Sequence, residues 1–110
     1  MKNLIDKLQS KNIVLKQLTS IDIKKEFNSR KKIRLYLGVD LDRYYVCVIE
    51  VKKKSKILQK EALELMEFHR KLEQFNDSAI KKKYIYIEAP ICSKAKELLK
   101  KEKWRVLIKI

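Results

Sequence analysis

The chain has 110 residues, 45% of them hydrophobic, and 28 Lys and Arg against 14 Asp and Glu give it a formal charge of +14. That length holds one domain with one core, and apolar residues spread among the charges argue against a disordered tail. No apolar run approaches the ~20 residues of a bilayer span, and the start "MKNLIDKLQSKN" lacks a signal peptide's apolar segment, so a cytoplasmic protein with no membrane association is expected.

So large a positive excess points to a polyanion partner, most often nucleic acid. A lysine-rich thermophilic composition would raise Glu together with Lys. Here the acids do not keep pace. Cys47 and Cys92 form no CxxC or Cys/His cluster, so no zinc site is expected and both are expected to be reduced.

In chain order, residues 2–11 predict a short amphipathic helix with Leu4, Ile5 and Leu8 on one side. "NIVLKQL" fits either a short strand or a turn of helix. Thr19, with Asp22 three residues on, predicts a capped helix to about Asn28, with Ile23 and Phe27 as its apolar face. "KKIRLYLGVD" alternates as a strand, a turn falls at Leu41 to Arg43, and a second strand runs from Tyr44 to Lys52. Apolar on both faces as far as Glu50, this strand is expected at the centre of the sheet. "SKILQKEALELMEFHRKLEQF" has helical period, with an apolar arc centred on Leu58. "KKKYIYIEAP" is a third strong strand, parallel to the second across a βαβ crossover. Ser93 caps "KAKELLKKEK", and "WRVLIKI" closes the chain as a strand. The fold class is α/β, a mixed central β-sheet flanked by helices. Residues 1–30 form an N-terminal helical region and 31–110 the core of a single domain, 1–110.

Glu50 and Lys52, at i and i+2 on a strand, point to the same side. With an Asp from the neighbouring strand, two carboxylates and an ammonium would converge. Such a set suits a hard divalent cation held by oxygen, beside a lysine that orients or deprotonates a water. Asp40 and Asp42 are the two available acids.

These residues in this order resemble the PD-(D/E)XK, or restriction-endonuclease-like, nuclease superfamily. "GVD" (38–40) matches the hairpin acid, "VIEVK" (48–52) the E-x-K strand and "LQKEALEL" (58–65) the helix that follows. "YIYIEAPICSKAKELLKKEKWRVL" (84–107) is similar to the end of archaeal mismatch-endonuclease nuclease domains. The strand and helix also resemble archaeal Holliday-junction resolvases. Val39 stands where the superfamily has Pro, and the interval from Asp40 to Glu50 is short.

The resemblance implies a restriction-endonuclease-like core that hydrolyses DNA phosphodiester bonds with Mg²⁺ or Mn²⁺. Asp40 and Glu50 would hold the metal, with Asp42 as the alternative to Asp40. Lys52 would serve the attacking water, and Gln59 would assist. Lys53, Lys54 and Lys56 would hold flanking phosphates. A homodimer is plausible, since cutting two strands needs two sites. The rival expectations are a non-catalytic nucleic-acid-binding protein of the same fold and a basic accessory subunit of a larger complex. Glu88, at the end of the third strand, is a secondary candidate. His69 fits a core or boundary position, and packing accounts best for Trp104, Tyr84 and Tyr86.

Overall fold

The computed structural model describes residues 2–108. Its elements run α1 (Lys2–Ser10), β1 (Leu15–Ile21), α2 (Ile23–Phe27), β2 (Ile33–Asp40), β3 (Tyr45–Lys52), α3 (Gln59–Asn76), β4 (Lys82–Glu88), α4 (Ser93–Lys101) and β5 (Arg105–Ile108). Among the described residues the strands form one five-stranded sheet in the order β1-β2-β3-β4-β5. The β1–β2 and β2–β3 pairs are antiparallel, and β3–β4 and β4–β5 are parallel. This is the mixed α/β sheet expected, with β3 at its centre.

β3 is central because both of its faces are apolar. Cys47, Ile49 and Val51 join Leu35, Ile85 and Ile87 in a core covered by α3 and α4 through Ala62, Leu65, Phe68, Leu72, Ala95 and Leu99. Val46 and Val48 face the other way, with Tyr36 and Tyr86, beneath Leu4 and Leu8 of α1. Full burial of each such aliphatic side chain contributes about 1.5–3 kcal/mol. Burial pushes the Cys47 thiol far up, so this cysteine is an inert core residue.

Several local expectations shift. "NIVLKQL" resolves into the start of β1, an edge strand, so residues 1–30 are not wholly helical. Thr19 lies within β1. The α2 cap is Asp22, whose side chain accepts from the N–H groups of Lys24 and Lys25. Leu58 is exposed just ahead of α3, and Ile57 is the residue buried there. Cys92, rather than Ser93, caps α4, its Sγ accepting from the Ala95 N–H at 3.3 Å. Of the expected closing strand, Lys109 and Ile110 lie outside the described residues.

The β2–β3 hairpin turns over Leu41 to Arg43. The Arg43 N–H donates to the Asp40 carbonyl at 3.1 Å, and the Asp40 N–H donates to the Tyr44 carbonyl at 3.0 Å. Arg43 takes up the left-handed conformation, φ 69°. A type I turn followed by a left-handed residue is the common three-residue hairpin connection. It sets the register that decides the site: Val39 faces Tyr45, and Arg34 faces Glu50.

Candidate nucleic-acid interface

Side chains of alternate residues share one face of a strand. On the face covered by α1, β2 presents Arg34, Tyr36, Gly38 and Asp40, and β3 presents Val46, Val48, Glu50 and Lys52. β4 adds Lys82, Tyr84, Tyr86 and Glu88, with Tyr86 level with Glu50 and Glu88 level with Lys52. Asp40 and Glu50 therefore look the same way. They stand at opposite ends of the hairpin.

Asp40 lies level with Tyr44, and from there to Glu50 is six residues along the strand. At about 3.3 Å per residue this separates them by about 20 Å. Two ligands of one Mg²⁺ or Mn²⁺ must both lie within about 2–2.6 Å of it. The expected Asp40–Glu50 metal site is not formed. Asp42 does not replace Asp40, since it belongs to the turn still further along. Beside Glu50, the β2 side chains on its face are Arg34 and Tyr36.

Asp40 has a different occupation. It is buried, and its Oδ1 accepts from the N–H groups of Asp42 and Tyr44, each at 2.9 Å. Its Oδ2 accepts from Lys82 Nζ. The Lys82 hydrogen bond lowers the Asp40 pKa most, burial works against this, and the Tyr44 N–H assists. The same hydrogen bond raises the pKa of Lys82. Asp40 is the organiser of the turn.

At the other end, Glu50 is 5% exposed and draws its neighbours into a cluster. Lys7 reaches down from α1, 3.8 Å from Glu50 Oε2 and 3.2 Å from Glu88 Oε1. Its Nζ also lies 5.2 Å from the centre of the Tyr86 ring. Desolvation opposes the Lys7 charge, but the Glu88 hydrogen bond and the charges of Glu88 and Glu50 outweigh it and raise its pKa. Lys52 pairs with Glu88 Oε2 at 3.3 Å, yet its side chain is 56% exposed.

The two glutamates thus share one ammonium, that of Lys7. Among the described residues no group of three or more His, Cys, Asp or Glu side chains could hold a metal ion. As placed, Asp40 and Glu50 do not fit one two-carboxylate divalent centre.

Gln59 is exposed in the first turn of α3, whose buried residues pack against the sheet face opposite Glu50. Lys53 turns to that side too and pairs with Glu61. Lys54 and Lys56 are exposed beyond the strand end. His69 is mostly buried, with Nε2 2.5 Å from the Ile80 carbonyl oxygen, a satisfied boundary residue as expected.

The cluster opens onto a groove lined by Lys32, Ile33, Arg34, Glu50 and Lys52. Lys32, Arg34 and Lys52 are all exposed. With Glu50 matched by Lys7 at its floor, the groove carries a net positive field. Lys7, Lys32 and Arg34 were not singled out from sequence. The signal for Arg34 was available: a turn at 41–43 makes paired residue numbers sum to 84, which sets Arg34 opposite Glu50 and Asp40 opposite Tyr44.

No family model matches the chain, and no curated protein matches it. Solved structures do. A complex of EndoMS with dsDNA superposes with a TM-score of 0.57 at 16% identity, over 99% of this chain and 42% of the other. EndoMS in its apo form gives 0.59 at 18% identity, over 99% and 44%. A repair endonuclease from Pyrococcus abyssi gives 0.56 at 18% identity, over 99% and 45%. This chain thus spans less than half the length of each. It has the fold of a part of these endonucleases.

Proposed function

We propose that the chain is a nucleic-acid-binding protein of endonuclease fold, and that it grips the phosphate backbone in the groove of Lys32, Arg34 and Lys52 without a metal centre at the Glu50 end. The observation that carries this reading is that each of the two expected metal ligands is engaged by a lysine ammonium of its own. Lys7 lies between Glu50 and Glu88, and Asp40 is engaged by Lys82 about 20 Å away. A groove of exposed cations over an internally neutralised acid attracts phosphate and reads no sequence. The net charge of +14 supports the same partner. The dsDNA bound by one of the structural neighbours makes duplex DNA the first substrate to test.

A second reading, a metal-dependent DNA endonuclease, is favoured by one observation. Glu50, Lys52 and Glu88 gather at the carboxyl ends of two adjacent parallel strands, where α/β sheets place their sites. That reading requires Lys7 to withdraw and an ion to take its place.

One experiment separates the two. Purified protein is incubated with duplex DNA and with supercoiled plasmid, with Mg²⁺, with Mn²⁺ and with EDTA. The expected result is duplex binding that EDTA does not change, weakened at least tenfold in a Lys32→Ala, Arg34→Ala, Lys52→Ala triple variant, and no nicking. Metal-dependent nicking that disappears in Glu50→Gln overturns the non-catalytic reading in favour of the endonuclease.

A further inference from the structure

The tip of the β2–β3 hairpin carries apolar side chains that no core explains. Leu41 is 67% exposed, Tyr44 64% and Tyr45 40%. Tyr44 and Tyr45 line a second cavity with Ala79, Lys81 and Lys82, at the end of the sheet away from the Glu50 groove. Lys82 Nζ lies 5.5 Å from the centre of the Tyr44 ring. Lys81, which lines the cavity, is exposed, as is Arg43, next to Tyr44 in the chain. An aromatic wall edged by cations combines a stacking surface with a phosphate-binding rim.

The platform is also held firmly. Asp40 ties the turn with its bonds to the N–H groups of Asp42 and Tyr44 and to Lys82 Nζ. The second of these fixes the Tyr44 backbone and the third the lysine over its ring. Such preorganisation removes the ordering cost that a flexible loop would incur on binding.

We infer that Tyr44 and Tyr45 form a stacking site for an unpaired nucleobase of single-stranded nucleic acid, with Lys81 and Arg43 holding its phosphates. The inference rests on the nucleic-acid reading above and adds to it a second contact of different chemistry. A base stacks on any exposed aromatic face, so the site is indifferent to sequence. The surrounding cations favour a nucleic acid over a neutral protein partner, which would leave Lys81 and Arg43 without counter-charge. From Tyr44 to Glu50 is six residues, or about 20 Å. A strand rising about 3.4 Å per nucleotide would bridge the platform and the groove in about six nucleotides. A duplex with a single-stranded extension is the ligand that matches both.

The test uses three DNA probes: a blunt duplex, the same duplex with a single-stranded extension, and the single strand alone, the last two carrying 2-aminopurine in the unpaired segment. Affinity and 2-aminopurine fluorescence are measured for the wild type, Tyr44→Ala, Tyr45→Ala and Tyr44→Phe. The expected result is quenched fluorescence in the wild type and about tenfold weaker binding of the single strand by each alanine variant, the effect of losing one stacked base. Tyr44→Phe, which keeps the ring, retains single-strand affinity. Blunt-duplex affinity stays within about twofold throughout, which also reports that the variants are folded. Duplex binding with no alanine effect on the single strand overturns the stacking site and leaves the groove reading standing. Binding of none of the probes by the wild type overturns both.

Discussion

Asp40 shows how a residue's chemistry depends on its neighbours rather than on its type. Its carboxylate accepts from two backbone N–H groups and one ammonium, so every bond it makes stabilises the turn. Its pKa is lowered in the folded protein, with the Lys82 bond as the main cause. A depressed carboxylate pKa contributes stability above the unfolded value, and that stability is lost as pH falls through the folded value. Thermal unfolding followed from pH 7 to pH 2 should therefore show the midpoint falling below about pH 4. Asp40→Asn should lower the midpoint at pH 7 and flatten that acid decline, while leaving duplex affinity unchanged. Lys7 carries the opposite sign. Its pKa is raised in the folded protein, so its contribution is complete below the ordinary lysine value and is lost as pH rises through the folded value. Lys7→Met leaves the buried Glu50 carboxylate without its ammonium. Urea unfolding should show a loss of about 1–3 kcal/mol, the cost of an unsatisfied buried polar group.

At the scale of the elements, α1 and the hairpin matter most. α1 reaches the sheet through Leu4 and Leu8, the latter 1% exposed, and that packing brings Lys7 over Glu50. A helix this short is not stable by itself and depends on its buried face. Leu8→Ala should cost about 2–5 kcal/mol by urea unfolding if the fold unravels as one unit. Hydrogen exchange should show α1 losing protection ahead of β3. The hairpin illustrates how far local pattern carries. Alternation of Ile33, Leu35 and Leu37 and the turn at Leu41 to Arg43 were legible, because strand period and turn chemistry are local. The Asp40–Glu50 contact was expected from the hairpin pairing and the family resemblance. A shared face says nothing of position along the strand, and the same three-residue turn that makes the hairpin tight carries Asp40 to its far end.

For the whole molecule, the proposed nucleic-acid binding would draw its strength and its salt dependence from the +14 charge. Association constants for duplex DNA, measured over a range of salt concentrations, should fall steeply. A plot of log K against log salt loses about 0.9 of slope for each phosphate contact removed. The double variant Arg34→Ala, Lys52→Ala should therefore flatten the slope by about 2. Lys53→Ala should change it less, because Lys53 is already paired with Glu61 on the other face of the sheet. A slope unaffected by Arg34 and Lys52 would place the phosphate contacts elsewhere.

By itself the sequence determined the α/β class, the central position of the twice-apolar strand, the parallel crossover to β4 and the large positive charge. Each follows from hydrophobic period, turn residues or composition, which act over a few residues or over the whole chain at once. Glu50 and Lys52 on one face were equally legible, since alternation along a strand is a local rule. The tertiary structure alone decided what meets Glu50. Lys7 comes from α1, distant in sequence, and Glu88 comes from a strand paired in parallel register. Burial then decided the rest: an acid in the sheet must find a cation, and the cation nearest to Glu50 in space is an ammonium that no spacing motif announced.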